Sequence, residues 1–319
     1  LGLPASLWAV DALEFHGQLS FIKGGLVYAD RLTTVSPTYA AEIQTTAFGC
    51  GLDGLLRHRS ADLTGILNGI DERTWNPSKD PHLAVRYGPR RLTAKAGNKQ
   101  AVQRALGLPV NADIPLVGMV GRLVEQKGID QVMLALPALM QRGVQIGVLG
   151  SGEARYEQAL QAFAAQHADK IRVYIGYDEA LAHQIEGGAD MFLMPSRFEP
   201  CGLNQLYSLR YGTVPIVHKT GGLADTVQLW DPRDRTGTGI VFDHFTGDGL
   251  AWAIEAALAT YRDAAAWQAL VANGMAADIV DRLEVIEVDQ RHCVVTVGAQ
   301  GFEAVVDRPA IEQTRQRIE

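Results

Sequence analysis

The chain has 319 residues, 47% of them hydrophobic and 20% charged, which is the make-up of a folded globular protein and not of a disordered one. Lys and Arg number 29 against 36 Asp and Glu, a net charge of −7 that argues against general nucleic-acid binding. Cys50, Cys201 and Cys293 are far apart, so they form neither a disulfide framework nor a zinc spacing, and a reducing cytoplasm is expected. No apolar run reaches the ~18 residues of a membrane span, so no membrane partner is expected.

In chain order, Ala29–Ser36 reads as a strand and Pro37–Gln44 as a helix with proline in its first turn. Leu63–Ile70 reads as a second strand. Two strands cannot close a doubly wound sheet, so residues 1–80 are expected to be a remnant of an amino-terminal domain with its hinge. Asn76–Gly97, with its prolines and mixed charge, reads as a linker.

Residues 81–280 are expected to form one α/β domain. Continuous apolar runs at Pro115–Gly121, Val144–Gly150, Ile171–Gly176, Met191–Ser196, Val214–Lys219 and Gly239–Asp243 suit parallel strands buried on both faces. Helical stretches alternate with them: Gly128–Gly143, Ala154–Asp169, Asp178–Gly188, Gly202–Gly212, Gly222–Trp230 and Asp248–Met275, the last with a break expected near Asp263. The alternation gives a doubly wound sheet, whose ligands sit at the carboxyl ends of its strands. Residues 281–319 read differently, as antiparallel-like strands at Leu283–Val288, His292–Gly298 and Gly301–Asp307 before a polar helix at Pro309–Glu319.

The loops after the strands carry the candidate chemistry. Gly121–Gly128 places Arg122 and Lys127 beside Gln126 at a helix entry, which suits a pyrophosphate or two solvated surface cations. Gly150-Ser151-Gly152 is an incomplete dinucleotide motif without its third glycine, and the nearby Asp169 precedes the next strand, so its glycines are read as serving the turn. Tyr177 ends a strand, where its ring could stack on a base or pack as a rim residue. His183 reads as a packed histidine. Glu199 either anchors sugar hydroxyls or serves as a helix-dipole charge, with the N–H groups of Cys201, Gly202, Leu203 and Asn204 opening the next helix. Thr220-Gly221-Gly222 would let backbone approach a phosphate or simply make a tight turn. No metal-ligand cluster accompanies these groups. Together they favour a nucleotide-diphosphate sugar whose leaving group is neutralised by Arg, Lys and helix dipoles.

The segments ADRLTTVSPTYAAEI, GLDGLLRHRS, ILNGID, VGRLVEQKGID, IGYDEALAHQI, SRFEPCGLNQLYSLRYGTVPIV and TGGLADTV, from about Leu1 to about Asp278, resemble the bacterial glycogen (starch) synthases. That resemblance implies a two-Rossmann-domain (GT-B type) glycosyltransferase, with the carboxyl-terminal doubly wound domain complete and the amino-terminal one partly present. It implies retaining transfer of glucose from ADP-glucose to the non-reducing 4-hydroxyl of an α-1,4-glucan, without a cofactor. Arg122 and Lys127 would hold the donor diphosphate, Tyr177 would pack on adenine, and Glu199 with the amides of Cys201, Gly202 and Leu203 would contact the donor glucose. Asn68 would be a further donor contact. Where related transferases carry a second Glu, eight residues after the first, this chain has Tyr207. The family's amino-terminal K-x-G-G-L loop is not found; Lys23-Gly24-Gly25-Leu26 lacks its spacer and matches a different segment. Residue 1 is Leu, and a fragment with little turnover is expected, or else a non-catalytic nucleotide-sugar- or glucan-binding remnant. Leu26, Val27 and Tyr28 are expected to expose apolar surface. A Rossmann oxidoreductase is disfavoured by the defective glycine motif.

Overall fold

The computed structural model describes residues 2–277 and 294–297. They divide into two compact units. One holds 2–68, Glu199–Cys201 and 294–297, and the other holds 69–198 and 202–277. The division falls at 68/69 and not at 80/81.

In the first unit, β1 (Glu14–Phe15) and β2 (Gln18–Leu19) form a hairpin. Its turn residues His16 and Gly17 both have positive φ, the geometry that matches strand twist in a two-residue turn. Ser20 caps α1 (Phe21–Tyr28), accepting from the Lys23 N–H. The Lys23 ammonium donates to the carbonyls of Val10 and Glu14, so this lysine pins the preceding segment. β3 (Arg31–Thr34), α2 (Pro37–Glu42), α3 (Asp53–His58) and β4 (Leu63–Gly65) follow, with β3 and β4 parallel. Leu26 is fully buried among Leu32, Tyr39, Ile43 and Leu56, so the exposure expected of it is not found, whereas Tyr28 is 59% exposed. The Arg59 guanidinium closes α1 by donating to the carbonyls of Leu26, Val27 and Ala29.

The second unit opens with residues expected to form a linker, and they do not. Trp75 stacks at 3.8 Å on both His183 and Tyr207. Asp80 is buried and accepts from His183 Nδ1 (2.7 Å) and the Tyr211 hydroxyl (2.6 Å). Desolvation pushes the Asp80 carboxyl up, but these bonds and the His82 N–H outweigh it and hold it below its ordinary range. A helix the periodicity did not announce follows: α4 (Lys95–Leu106). It carries few large apolar residues, Val102 and Leu106, which join the core, and most of what it buries is polar. Asn98 clamps both backbone groups of Val85, Lys99 pairs with Asp190 at 2.8 Å, and Gln103 donates to Gln145 at 2.7 Å.

β5 (Leu116–Val120), α5 (Ile129–Leu139), β6 (Gln145–Gly150), α6 (Ala154–Gln166), β7 (Ile171–Ile175), α7 (Glu179–Gly188), β8 (Met191–Met194), α8 (Asn204–Arg210), β9 (Val214–His218), α9 (Gly221–Thr226), β10 (Ile240–Phe242), α10 (Gly247–Arg262) and α11 (Ala264–Ala276) then alternate. Asp263 separates the last two, capping α11 with its carboxylate. All six strands are parallel, in the order β10-β9-β8-β5-β6-β7, which is the doubly wound arrangement. Alternate residues of β5 feed opposite cores: Val117 and Met119 one face, Leu116 the other. The expected helix through Trp230 ends at Thr226, where the chain turns extended and pairs Leu229 with Gly239.

β11 (Val294–Val297) lies parallel to β3, and not antiparallel as expected for the tail. The readings at Leu283–Val288, Gly301–Asp307 and Pro309–Glu319 lie outside the described residues. Among the described residues no helix is long and apolar enough to cross a membrane.

The polar interface of α4 makes stability depend on pH. Desolvation pulls the Lys95 ammonium down from its ordinary 10.5 to about 7, although it donates to Thr213 Oγ1 and the Gly187 carbonyl. Burial drives the Glu186 carboxyl well above its usual range. Between about 7 and 10.5 the unfolded chain keeps the Lys95 proton and the native chain has lost it, so this residue makes stability rise with pH. Glu186 acts with the opposite sign; the Lys95 ammonium lowers its carboxyl, so in Lys95→Met it stays protonated to higher pH, which moves the difference between the two proteins in the same direction. Urea unfolding from pH 7 to 9 should therefore show wild type gaining on Lys95→Met by up to about 1.4 kcal/mol per pH unit. A difference that stays flat with pH would contradict this account.

Candidate functional site

In a sheet of this order the crevice opens where the winding reverses, between β5 and β8. Their pairing is brief. It runs only from Val117↔Met191 to Gly118↔Phe192, whereas β5 and β6 stay paired from Leu116 to Val120. Beyond Gly118 the strands part, and the Val120 carbonyl is left without a partner strand on that side. The Asn204 side chain, at the start of α8, donates to it at 2.8 Å. A buried carbonyl left bare would cost about 1–3 kcal/mol, so this amide stabilises the mouth of the crevice.

The loops after β5, β6 and β8 are stitched to one another. Arg122 Nη2 donates to Gln126 Oε1 at 2.8 Å, Gln126 Nε2 donates to the Phe198 carbonyl at 2.8 Å, and the Arg197 N–H donates to the Gln126 carbonyl at 2.9 Å. Leu123 and Gly152 form a parallel bridge. An added Cβ at Gly128 would lie 1.9 Å from the Pro195 carbonyl oxygen, at Gly150 1.9 Å from that of Gly121, and at Gly152 2.3 Å from that of Leu123. These glycines therefore serve loop-on-loop contact, which accounts for the incomplete dinucleotide motif. Arg197 pairs with Glu125 at 3.1 Å and lies over the Phe245 ring, and Arg155 bridges Glu125 and Glu153. Both arginines are largely exposed, so these pairs contribute orientation more than stability. His218, the last residue of β9, donates through Nδ1 to the Ser196 carbonyl at 2.8 Å and holds the loop after β8 from below.

Arg122, Gln126, Lys127, Tyr177, Gly202, Leu203, Asn204, Thr220, Gly221 and Gly222 all lie in the second unit, in the loops after β5, β7, β8 and β9 at the carboxyl edge of the sheet. Asn68, Glu199 and Cys201 fall in the first unit. Arg122 is exposed and Lys127 half-buried. Tyr177 is 86% exposed, two residues past the end of β7, and does not pack as a rim residue. Glu199 is buried, as is Cys201. α8 begins at Asn204 with Leu203 as its cap, two residues later than expected, so Cys201 and Gly202 precede the helix. Gln126 and Asn204 were expected to bind substrate. In the structure both ends of the Gln126 amide, and the nitrogen of Asn204, are engaged by the protein itself.

Sequence reasoning did not find His218, or the Trp75 stack that places Tyr207 against the 69–80 segment. Aromatic and histidine residues at strand and turn ends have no spacing signature. Gln205 ties α8 to α9, donating to Thr226 Oγ1 at 3.1 Å, and Thr226 in turn donates to the Gly222 carbonyl.

Comparison with known proteins agrees with this arrangement. A family model described as "Glycosyl transferases group 1" matches residues 107–269, and one described as "Starch synthase catalytic domain" matches residues 1–58. A glycogen synthase of Anaeromyxobacter dehalogenans is 58% identical over 278 residues, 87% of this chain and 58% of that protein. One from Halorhodospira halophila is 58% identical over 86% of this chain and 58% of its own length. The chain thus spans a little under three-fifths of the length of the relatives it matches. Among solved structures, the catalytic domain of starch synthase IV from Arabidopsis thaliana, bound to ADP and acarbose, superposes with a TM-score of 0.82 at 36% identity, covering 87% of this chain and 59% of that one. Anabaena HepE in complex with UDP and glucose shares the fold, with a TM-score of 0.54 at 16% identity over 80% of this chain and 60% of that one.

The stitched loops make a sharp prediction. Gly128 has φ +73° and faces the Pro195 carbonyl, whereas Gly143 has nothing within 4 Å of an added Cβ. Gly128→Ala should lose at least about 2 kcal/mol in urea unfolding, from left-handed strain plus the clash, and Gly143→Ala should stay within about 0.5 kcal/mol of wild type. Equal stability of the two variants would refute the close-approach argument.

Proposed function

The chain belongs to the glycosyl transferases of group 1, and on that footing we propose that it takes part in glucosyl transfer from ADP-glucose to the non-reducing 4-hydroxyl of an α-1,4-glucan, with retention of configuration. The observation that carries the reading is the crevice at the β5/β8 switch point, with Arg122 and Lys127 on the loop that forms one lip. Two cations there suit a nucleotide diphosphate as substrate and as leaving group. As the glycosidic bond to the diphosphate breaks, negative charge grows on the departing oxygen. A guanidinium and an ammonium already held in place stabilise that charge without reorganising. The relatives named glycogen synthase and the ADP-bound starch synthase domain support the donor and acceptor assigned.

In this reading Tyr177 stacks on adenine, its exposed ring being the surface a flat base needs. Glu199 contacts the donor glucose with the amides of Cys201, Gly202 and Leu203. Thr220, Gly221 and Gly222 let backbone approach a phosphate, and Asn68 is a further donor contact. Gln126 and Asn204 act one step back, holding the loops on which these groups ride. A cytoplasmic setting is part of the same proposal. Nucleotide binding with slow glucan elongation is expected of this chain. A binding-only role is the second reading, and incubation with ADP-glucose and glycogen separates the two, since measurable elongation, however slow, excludes it.

The test is calorimetric titration of the chain with ADP and UDP. ADP should bind more tightly than UDP, and Lys127→Ala should weaken ADP binding about tenfold to a hundredfold, the worth of one charge-assisted contact. Unchanged ADP affinity in Lys127→Ala would overturn the assignment of this lip to the diphosphate.

A further inference from the structure

Between Pro81 and Ala112 the chain has Arg86, Arg90, Arg91, Lys95, Lys99 and Arg104 and not one Asp or Glu, within a molecule of net charge −7. Two of these cations turn inward. Lys95 donates to Thr213 and Gly187, and Lys99 pairs with Asp190. Arg86, Arg90 and Arg91 stay exposed, and all three line a single depression of about 430 Å³. Among the described residues no carboxylate pairs with any of the three; Arg86 Nε reaches only the Asp80 carbonyl, at 3.4 Å.

The depression is built on a fixed floor. Tyr87 lines it, and the single O–H of buried Tyr87 has two carbonyls in reach to donate to, Tyr211 at 2.7 Å and Gly187 at 3.0 Å. Those two residues precede β8 and β9, so the floor lies at the amino edge of the sheet, opposite the edge that carries Arg122 and Lys127. Pro89 opens a short 3-10 turn, Pro89–Ala94, in which Arg91 departs from helical geometry (φ −140°, ψ 42°), so the consecutive arginines do not continue one regular turn. Most of the lining is apolar, from Tyr87, Pro89 and the arginine stems.

Three guanidinium groups around one hollow repel one another, and the nearest carboxyls, Asp80 and Glu186, are buried and engaged by His183, Tyr211 and Ser208 and not by these arginines. A phosphate carries two negative charges and oxygens that guanidinium groups bind in pairs. An apolar wall beside it suits a carbon skeleton. We propose that this depression is a binding site for a small organic phosphate, its phosphate on Arg86, Arg90 and Arg91 and its carbon skeleton against Tyr87 and Pro89. The site stands apart from the nucleotide-sugar crevice and does not depend on that reading.

Phenylglyoxal modification of arginine, read residue by residue from digested peptides, tests this on the chain as it stands. Ribose 5-phosphate at millimolar concentration should slow modification of Arg90 and Arg91 at least threefold, while ribose, or chloride at matched ionic strength, should not. Arg233, 90% exposed and remote in sequence, serves as reference. Inorganic pyrophosphate is the arm that separates bare phosphate from an organic phosphate. If it protects as well as ribose 5-phosphate at equal charge, the carbon skeleton plays no part and the proposal is overturned in that respect. Protection of Arg122 alone would overturn this site and leave the nucleotide crevice intact, and protection of Arg90 and Arg91 without Arg122 would support this site and leave the crevice to its own ADP titration. The variant Arg90→Ala/Arg91→Ala changes only exposed side chains. It should retain the wild-type melting temperature and lose at least tenfold in ribose 5-phosphate affinity by calorimetry. Unaltered affinity would refute the proposal.

Discussion

Everything at the carboxyl edge of the sheet follows from two strands that part early. β5 and β8 share only two paired positions before they diverge, at the point where the strand order reverses. Divergence makes room for a ligand, and it also strips backbone groups of their ladder partners. The side chains that answer are amides: Asn204 for the Val120 carbonyl and Gln126 for the Phe198 carbonyl. An amide can do this without adding charge. Arg122, on the same loop, donates to the Gln126 amide and shares in that hold.

The order of the second unit was legible because its strands are uniformly apolar and its helices carry regular stripes. Six of six strand positions in that unit were anticipated from buried runs such as Val144–Gly150 and Val214–Lys219. α4 was not, for a physical reason. Its buried residues are Asn98, Lys99, Val102 and Gln103, with half-buried Lys95 one turn before Lys99, so only one of them is apolar. A helix that packs through hydrogen bonds and one ion pair has no apolar periodicity to read. The segment before it, read as a linker from its prolines, is anchored by Trp75 and Asp80, two residues whose partners lie more than a hundred positions away.

The candidate site divides the same way. Residue types proposed to act on a ligand, Arg122, Lys127 and Tyr177, stand out in a loop because a loop rarely needs them. Residue types that hold loops together do not stand out. Gln126 and Asn204 sit inside motifs that suggest ligand contact, and only the structure shows their amides turned to backbone. His218 gave no signal, since a histidine ending a buried strand looks like any other core residue.

The glycines make the last link. Gly150 and Gly152 imitate a dinucleotide motif, and their spacing alone would leave an oxidoreductase open. Built Cβ atoms at both positions would strike backbone oxygens of Gly121 and Leu123, on the loop that carries Arg122. A phosphate cannot occupy space already filled by a neighbouring main chain. The same crowding fixes the Arg122–Gly128 loop against the loops after β6 and β8, with Gly128 pressed on Pro195. The missing third glycine is thus no defect of a nucleotide turn. The turn after β6 is a buttress, and what it supports is the neighbouring loop where the cations stand.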